Sequence, residues 1–327
     1  MIFEKEKIKL LVFRKKSQSW MNTIIIPIPK SEESLSSLKN YRPITLIESP
    51  KKLFVGIIVI RIKQKIQQLN LLEQRNLVYQ PGISCQDVTF RVRLFLDSAR
   101  LLGKSIELTP LDIEKAFDSV PFSSIVASLR RIGCPIEIQN LFSFNITHWR
   151  ARIKTAFGLL DGFNPKRGIE QGGMDSPLLW LLFVDPLLEV LQQSEIGYKI
   201  NGINNITFVD DITLISDSRQ SSQQLLDIVS TFFQKNKMKI NEKKTKLISS
   251  SIETTPLILH EYSIIPETII SFTLLGSYID LQGRLDALET SCSEEITCIL
   301  NCMEKKKYHS QHVCLHHQQY PYSQNLL

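Results

Sequence analysis

The sequence predicts an α+β fold, with an antiparallel sheet and helices on one face of it. Three features point there. In the stretch Asn205-Ile206-Thr207-Phe208-Val209-Asp210-Asp211-Ile212-Thr213-Leu214-Ile215, apolar and β-branched residues lead into two adjacent carboxylates and a similar run leads out. That is the pattern of two strands joined by a tight turn, because Asp tolerates turn dihedrals and the flanks favour strand. Strand-like and helix-like segments otherwise alternate irregularly, and the strongest strand pair is this local hairpin, unlike the steady rhythm of a doubly wound parallel sheet. Finally, Leu178 to Gln193 is apolar almost all round, which argues for a buried helix.

With 327 residues there is chain enough for one large domain or two to three subdomains. At 43% hydrophobic and 22% charged the composition is that of an ordinary soluble globular protein. The 39 basic and 33 acidic residues give a net charge of +6, compatible with a polyanionic partner without demanding one. The apolar run near the N-terminus, Leu10 to Phe13, is too short for the core of a secretory signal. The longest apolar run, Leu53 to Ile60, is too short to span a bilayer. An intracellular protein without a membrane partner is expected. Six cysteines (85, 134, 292, 298, 302 and 314) are scattered along the chain and read as reduced thiols. No repeat of 20–50 residues occurs.

In chain order, Asn22 to Lys30 reads as a strand ended by prolines, followed by a polar loop and Asn40-Tyr41-Arg42-Pro43-Ile44. Ser49 to about Leu71 reads as a helix with Pro50 in its first turn. Cys85 to Leu102 reads as a second, with Gly103 as the residue after its end. An apolar strand from Ile106 then delivers Asp112, and a turn carries Phe117 round. Helices are expected from Pro121 to Gly133 and from Pro135 to about Trp149, then strands around 151–157 and 163–168. After the buried helix and the hairpin come a helix from Gln220 to Asn236, short strands at Met238–Asn241 and Thr245–Ile248, and a strand pair within Phe272–Ile279. The stretch from about Lys305 is polar and His-rich and carries no structural expectation.

The chemistry centres on carboxylates. Adjacent carboxylates repel, so an environment that keeps Asp210 and Asp211 ionised usually supplies a cation. Mg²⁺ takes such oxygen ligands, with substrate phosphates completing its shell. An Asp pair in an exposed turn is the plainer reading of these two alone, and a helix cap or solvated strand end that of Asp112. Taken together, the three suit two Mg²⁺ ions about 4 Å apart, clamping the attacking and leaving oxygens of a phosphoryl transfer. Such chemistry needs no protein nucleophile, and none is evident.

Six blocks in order carry a resemblance. They are Ile26-Pro27-Ile28-Pro29-Lys30 with Tyr41-Arg42-Pro43-Ile44; Leu111-Asp112-Ile113-Glu114-Lys115-Ala116-Phe117-Asp118-Ser119-Val120; Gly168 to Pro177; Phe208-Val209-Asp210-Asp211; Met238-Lys239-Ile240-Asn241 with Lys244-Thr245; and Leu275-Gly276. Over roughly residues 22–280 the chain resembles the reverse transcriptase domain of non-LTR (LINE-like) retrotransposons. The resemblance implies a right-hand polymerase with an antiparallel palm sheet. Fingers would lie mainly in 22–105 and 121–165 and palm in 106–120 and 166–280, after an extension 1–21 and before a partial thumb or unstructured tail 281–327.

It also implies roles. Asp112, Asp210 and Asp211 match the family's catalytic, metal-binding aspartates, served by two Mg²⁺ ions with Mn²⁺ as a substitute. Phe117 matches the bulky residue under the incoming sugar, which excludes a 2′-hydroxyl. Gln171 and Gly172 match the loop near template and nucleotide, where a residue without a Cβ lets backbone approach a ligand. Lys244 matches a lysine near the triphosphate. Arg42 in a finger block is expected at the nucleotide, Lys52 and Arg61 at phosphates of the template, and Leu275 and Gly276 at the primer–template. For Phe117 the plainer reading is core packing, and for the cations it is a solvated surface. Implied partners are an RNA template, a DNA primer and dNTPs, and the implied compartment is the nucleus.

One departure is local. The family's loop usually carries a proline two residues before its Ser-Pro, where this chain has Met174, so a looser loop is expected. No endonuclease domain of the kind many such elements carry is expected before residue 22, and a thumb shorter than usual is expected after Asp280. Cys298, Cys302, His309, His312, Cys314, His316 and His317 lack the spacing of a zinc knuckle, and no zinc site is expected. An inactive, truncated element that at most binds nucleic acid is the alternative to a working polymerase. An intron-encoded maturase or RNA-dependent RNA polymerase fits less well, given Phe117 and its block.

Overall fold

The computed structural model describes residues 18–30, 40–72, 84–251, 253–267, 271–275 and 277–281. A single 3-10 turn, Gln18–Met21, leads into β1 (Asn22–Pro29). β2 (Tyr41–Leu46) lies antiparallel on one side of β1, and β4 (Arg150–Thr155) runs parallel on the other, with Asn22 opposite Arg150 and Ile25 opposite Ile153. A two-residue strand, β5 (Gly158–Leu159), closes this four-stranded sheet. Because Pro27 faces Pro43 in the β1–β2 register, neither can donate to the other. The donors that Pro27 and Pro29 lack therefore belong to the outer edge of β1, and the β4 ladder stops short of them at Ile25.

The helix α1 (Ser49–Leu69) has Pro50 at its start and buries Val55, Ile58, Val59 and Ile62. A second helix, α2 (Cys85–Leu101), opens with a capping box between Ser84 and Asp87. It closes on Gly103 at φ +61, with Lys104 N–H returning to Ala99 O. Both agree with the sequence.

The second sheet has the order β11-β8-β3-β7-β6. Here β3 is Glu107–Leu111, β6 Asn205–Phe208, β7 Asp211–Ser216, β8 Leu247–Ser249 and β11 Pro266–Glu267. All its pairings are antiparallel except β11–β8. Strand alternation sorts its residues into two layers. Leu111, Ile212, Leu214 and Leu247 face a large core formed with α4 (Phe122–Arg131), α5 (Ile136–Thr147), α6 (Ser176–Gln193) and α7 (Arg219–Lys235). Leu108, Ile215, Ile206 and Ile248 face a second core, built with α2 and the hairpin β12 (Ser271–Leu274)–β13 (Ser277–Asp280). The sheet is thus covered on both faces. The expectation of helices on one face fails because α2, contiguous with the fingers-like segment in sequence, packs on the other face against β6 and β13.

The helix expected at 178–193 is α6, and twelve of its residues are buried. Pro186 lies inside it and denies Leu182 O its helical donor. Arg131 of α4 compensates, reaching Leu182 O at 3.4 Å and the buried Asp185 Oδ2 at 2.7 Å. A second polar link lies inside the core. Glu107, 1% exposed, accepts from Arg219 Nε and Nη2, from Ser222 Oγ and from Ser249 Oγ at 3.1 Å. This set ties β3, β8 and α7 together.

Two expected strands shrink. Phe163–Gly168 makes only a single bridge, Phe163 with Ala151, because Pro165 and Gly168 interrupt a ladder. Met238–Asn241 makes only the bridge Ile240–Ile113. The short helix α3 (Ala116–Ser119) and the hairpin β9 (Leu257–Leu259)–β10 (Tyr262–Ile264) had no sequence expectation. Among the described residues, no helix is long and apolar enough to cross a membrane. Cys85 and Cys134, the two cysteines described, are free, and burial pushes the Cys134 thiol up to about 12. The other four cysteines and the His-rich tail lie outside the described residues.

Candidate active site

Strand register assembles the carboxylates. Leu111 faces Ile212 across the β3–β7 pair, so the next step along each strand sets Asp112 beside Asp211. By alternation both belong to the layer of Leu108 and Ile215, at the end of the sheet. Asp210 sits in the β6–β7 turn, between Phe208 and its partner Asp211. Val209, the first central residue, has φ +56, and Asp210 is not among the positive-φ residues. That is the pattern of a type II′ turn, whose first position favours glycine. A β-branched residue there stores strain of about 1–3 kcal/mol.

Something must hold that turn, and Trp180 of α6 does. Its indole N–H donates to Val209 O at 2.6 Å, and the side chain is almost wholly buried. The same ring stacks on Phe117 with centroids 5.6 Å apart and planes 21° from parallel. Phe117 rides on α3, half-buried, at the edge of the larger core.

The aspartates act on one another. Desolvation raises Asp210, with Asp112 adding to the rise. Partial desolvation first, then the charges of Asp210 and Asp112, push Asp211 up to about 6. Among the described residues, no group of three or more His, Cys, Asp or Glu side chains is arranged to hold a metal ion by itself. The donor set is instead that of a Mg²⁺ site completed by substrate: hard carboxylate oxygens at an open sheet end, with mutual repulsion that a cation would relieve. The residues fit such an ion. Lys244 stands beside them, its Nζ 3.8 Å from Asp112 Oδ1. Asn241 N–H bonds Asp112 O at 2.7 Å, and Lys244 N–H bonds Asn241 O, so the segment after α7 fixes both.

The loop Gly168–Ser176 crosses α3. Gly168 N–H bonds Val120 O and Ile169 N–H bonds Phe117 O, both at 2.8 Å. Gly168 has φ +102, and a Cβ on it would lie 2.8 Å from Asp118 O. Gln171 Nε2 reaches Asp118 Oδ1 at 3.2 Å, and burial raises that carboxyl. Gln171 O accepts from Thr45 N–H of β2 at 2.7 Å. Gly172 has φ +121, and its Cβ would meet Thr45 O at 2.6 Å. The glycine is therefore required by the chain's own β2, before any ligand enters.

Residues the sequence reading missed complete the frame. Lys51, not its neighbour Lys52, is buried, and its ammonium binds both oxygens of Glu170, at 2.9 and 3.1 Å. Arg167 spans three carbonyls, those of Ser119, Asn236 and Lys237. Met174 packs over Gly56 of α1. The loop expected to be loose is thus tied to α1, β2 and α3. Burial and the nearby Glu170 push Asp175 in the same loop up to about 6.

The remaining expected residues are more dispersed. Arg42 is exposed on β2, opposite Ile28. Lys52 is half-buried and Arg61 exposed on α1. Leu275, at φ +50, forms the turn of β12–β13 and packs against the core on the Asp112–Asp211 side of the sheet. Gly276 lies outside the described residues.

Comparison with known proteins identifies relatives of the chain as a whole. Residues 28–273 match the family described as reverse transcriptase (RNA-dependent DNA polymerase). A Pol polyprotein from retrotransposable element R2 of Popillia japonica is 27% identical over 85% of this chain and 40% of its own length. The R2DM polyprotein of Drosophila melanogaster is 31% identical over 63% of this chain and 19% of its own length. The chain therefore spans less than half of these relatives. Apo telomerase from Candida tropicalis, truncated of its C-terminal domain, superimposes with a TM-score of 0.59 over 82% of this chain and 55% of that one, at 15% identity, a likeness of fold. Six motif blocks, a carboxylate-bearing hairpin in register with Asp112, and these matches converge: the chain belongs to the reverse transcriptase family, within its non-LTR retrotransposon branch.

Proposed function

We propose that this chain is the RNA-directed DNA polymerase domain of a non-LTR retroelement protein, extending a DNA primer on an RNA template in the nucleus. The observation that carries this is the β3–β7 register, which brings Asp112 and Asp211 together at one end of the sheet beside the strained turn holding Asp210. The first sheet with α1 and α2, residues 22–105, and the segment 121–165 act as fingers. Residues 106–120 and 166–280 act as palm.

The reaction joins the primer 3′-oxygen to the α-phosphorus of a dNTP, with loss of the 3′-hydroxyl proton and departure of pyrophosphate. Members of the family generally use divalent metal ions, and two Mg²⁺ ions held by Asp112, Asp210 and Asp211 would supply Lewis-acid stabilisation of the attacking and leaving oxygens. The chain's other residues position the substrates. Phe117, backed by Trp180, presents a ring face under the incoming sugar, where a 2′-hydroxyl meets it. Gln171 and Gly172 are fixed between Asp118 and Thr45, close to the nucleotide. Lys244 and Arg42 offer cations to its phosphates, while Lys52 and Arg61 face the template backbone and Leu275 with Gly276 the primer.

The test is primer extension on oligo(dT)-primed poly(rA) with Mg²⁺ or Mn²⁺, comparing wild type with Asp210→Asn and Asp112→Asn. Extension by wild type that both substitutions abolish is expected. Extension that survives them means the triad is wrong. Folded wild type that extends nothing points to the other reading, an element that binds nucleic acid without catalysis.

A further inference from the structure

We propose that Trp180 is a positioning residue that couples the seating of the incoming sugar to the presentation of the hairpin carboxylates. The inference rests on the polymerase reading of the aspartates and of Phe117. Two contacts of a single side chain carry it. The indole N–H donates to Val209 O at 2.6 Å, and the ring lies stacked on Phe117 at 5.6 Å. Val209 is the turn residue forced to φ +56, immediately before Asp210. A turn in an unfavoured conformation persists only where its surroundings over-determine it, and the Trp180 N–H is directed at the carbonyl of the strained residue.

The choice of side chain is itself informative. A buried aromatic that served only to fill the core would be met equally by Phe, which is how Phe183, Phe142 and Phe233 serve in the same core. Tryptophan adds one donor, and a buried indole N–H needs an acceptor. Here the acceptor is supplied by the metal-bearing turn, 29 positions along the chain. Trp180 is almost wholly buried, so it touches neither nucleotide nor metal and acts through Phe117 and Val209. A sugar pressing on Phe117 presses through the stacked ring on the turn that aims Asp210. Because the pair moves as a unit, a nucleotide that tilts Phe117 also misplaces the carboxylate.

Two variants separate the contacts. Trp180→Phe keeps a ring against Phe117 and removes the donor, whereas Trp180→Leu removes both. Each is checked by thermal melting and assayed well below its Tm. Mn²⁺ binding without nucleotide is followed by titration calorimetry, and primer extension is compared with dTTP and UTP. Losing the bond to a buried carbonyl is expected to weaken Mn²⁺ binding and lower kcat by about tenfold in Trp180→Phe, and to lower the dTTP/UTP preference measurably, because a tilt of Phe117 no longer reaches the turn. Trp180→Leu is expected to show the same metal defect and a larger, several-fold reduction in the preference for dTTP. A plain packing role lowers Tm and leaves metal affinity, kcat and preference at wild-type values in the folded fraction, and that result overturns the proposal. Should wild type bind Mn²⁺ yet extend no primer, the polymerase reading fails, while the Mn²⁺ comparison between wild type and Trp180→Phe still decides whether Trp180 holds the turn.

Discussion

Lys244 Nζ stands 3.8 Å from Asp112 Oδ1, so the carboxylate proposed to hold a metal already faces a cation of the chain. Both side chains are well exposed, and such a pair contributes only about 0–1 kcal/mol. A divalent ion would displace the lysine readily and free it for phosphate. Lys244→Met should therefore leave Mn²⁺ affinity within about threefold of wild type, while KM for dNTP rises clearly and Tm holds. An unchanged KM would remove Lys244 from the nucleotide site.

The raised Asp211 carboxyl gives a pH signature. Its folded-state value, about 6, lies above the ordinary 3.8, so the metal-free fold holds that proton more tightly than the unfolded chain does. Stability from this group is present below about 4 and is lost as pH climbs towards 6. A metal needs the ionised form. Mn²⁺ affinity is thus expected to climb from pH 5 to about 6.5 and level off above, with proton release on binding below pH 6. Calorimetry in buffers of different ionisation enthalpy measures that release, and a flat profile through pH 5–6.5 would falsify the assignment.

Gly172 is fixed twice over, by φ +121 and by the Thr45 carbonyl 2.6 Å from any added Cβ. Gly172→Ala should cost about 1–3 kcal/mol in urea unfolding and raise KM for dNTP, because Gln171 O is bonded to the same residue of β2. Wild-type stability and KM together would show that the loop relaxes at no cost.

The buried set around Glu107 is structural. Glu107→Gln leaves Arg219 with a buried charge that nothing neutralises in full, a loss of about 3–5 kcal/mol. Ser222→Ala removes one donor to Glu107 and costs about 1–3 kcal/mol. Urea melts monitored by far-UV circular dichroism measure both. A loss below 1 kcal/mol for Glu107→Gln would mean that water reaches the site.

Much of the site is legible from local pattern. The β6–β7 hairpin announces itself by strand-forming residues on both sides of an Asp pair, and Asp112 by its place at the exit of an apolar strand. The burial of α6 follows from its lack of a polar face. What escapes is whatever depends on partners far along the chain. Lys51 and Lys52 are indistinguishable until α1 turns one of them towards Glu170, 119 positions away. Trp180 reads as core, and nothing nearby in sequence reveals that its N–H meets Val209. The β9–β10 hairpin has no glycine or asparagine in its turn, and His260 takes the left-handed conformation instead at φ +55. Pro165, plain in the sequence, argues against the strand expected at 163–168.

The parallel pairing of β1 with β4 sets an order of events on the ribosome. Asn22 cannot meet Arg150 until the chain between them has been made, a wait of roughly ten seconds at about 5–20 residues per second. Throughout it, the β1–β2 hairpin carries an open edge with exposed Ile28 and Leu46, the kind of template on which strands of other chains add. Pro27 and Pro29 sit on that outer edge and withhold two donors from it. Besides ending the ladder in the finished fold, the two prolines thus leave a foreign strand two fewer donors to pair with before β4 arrives.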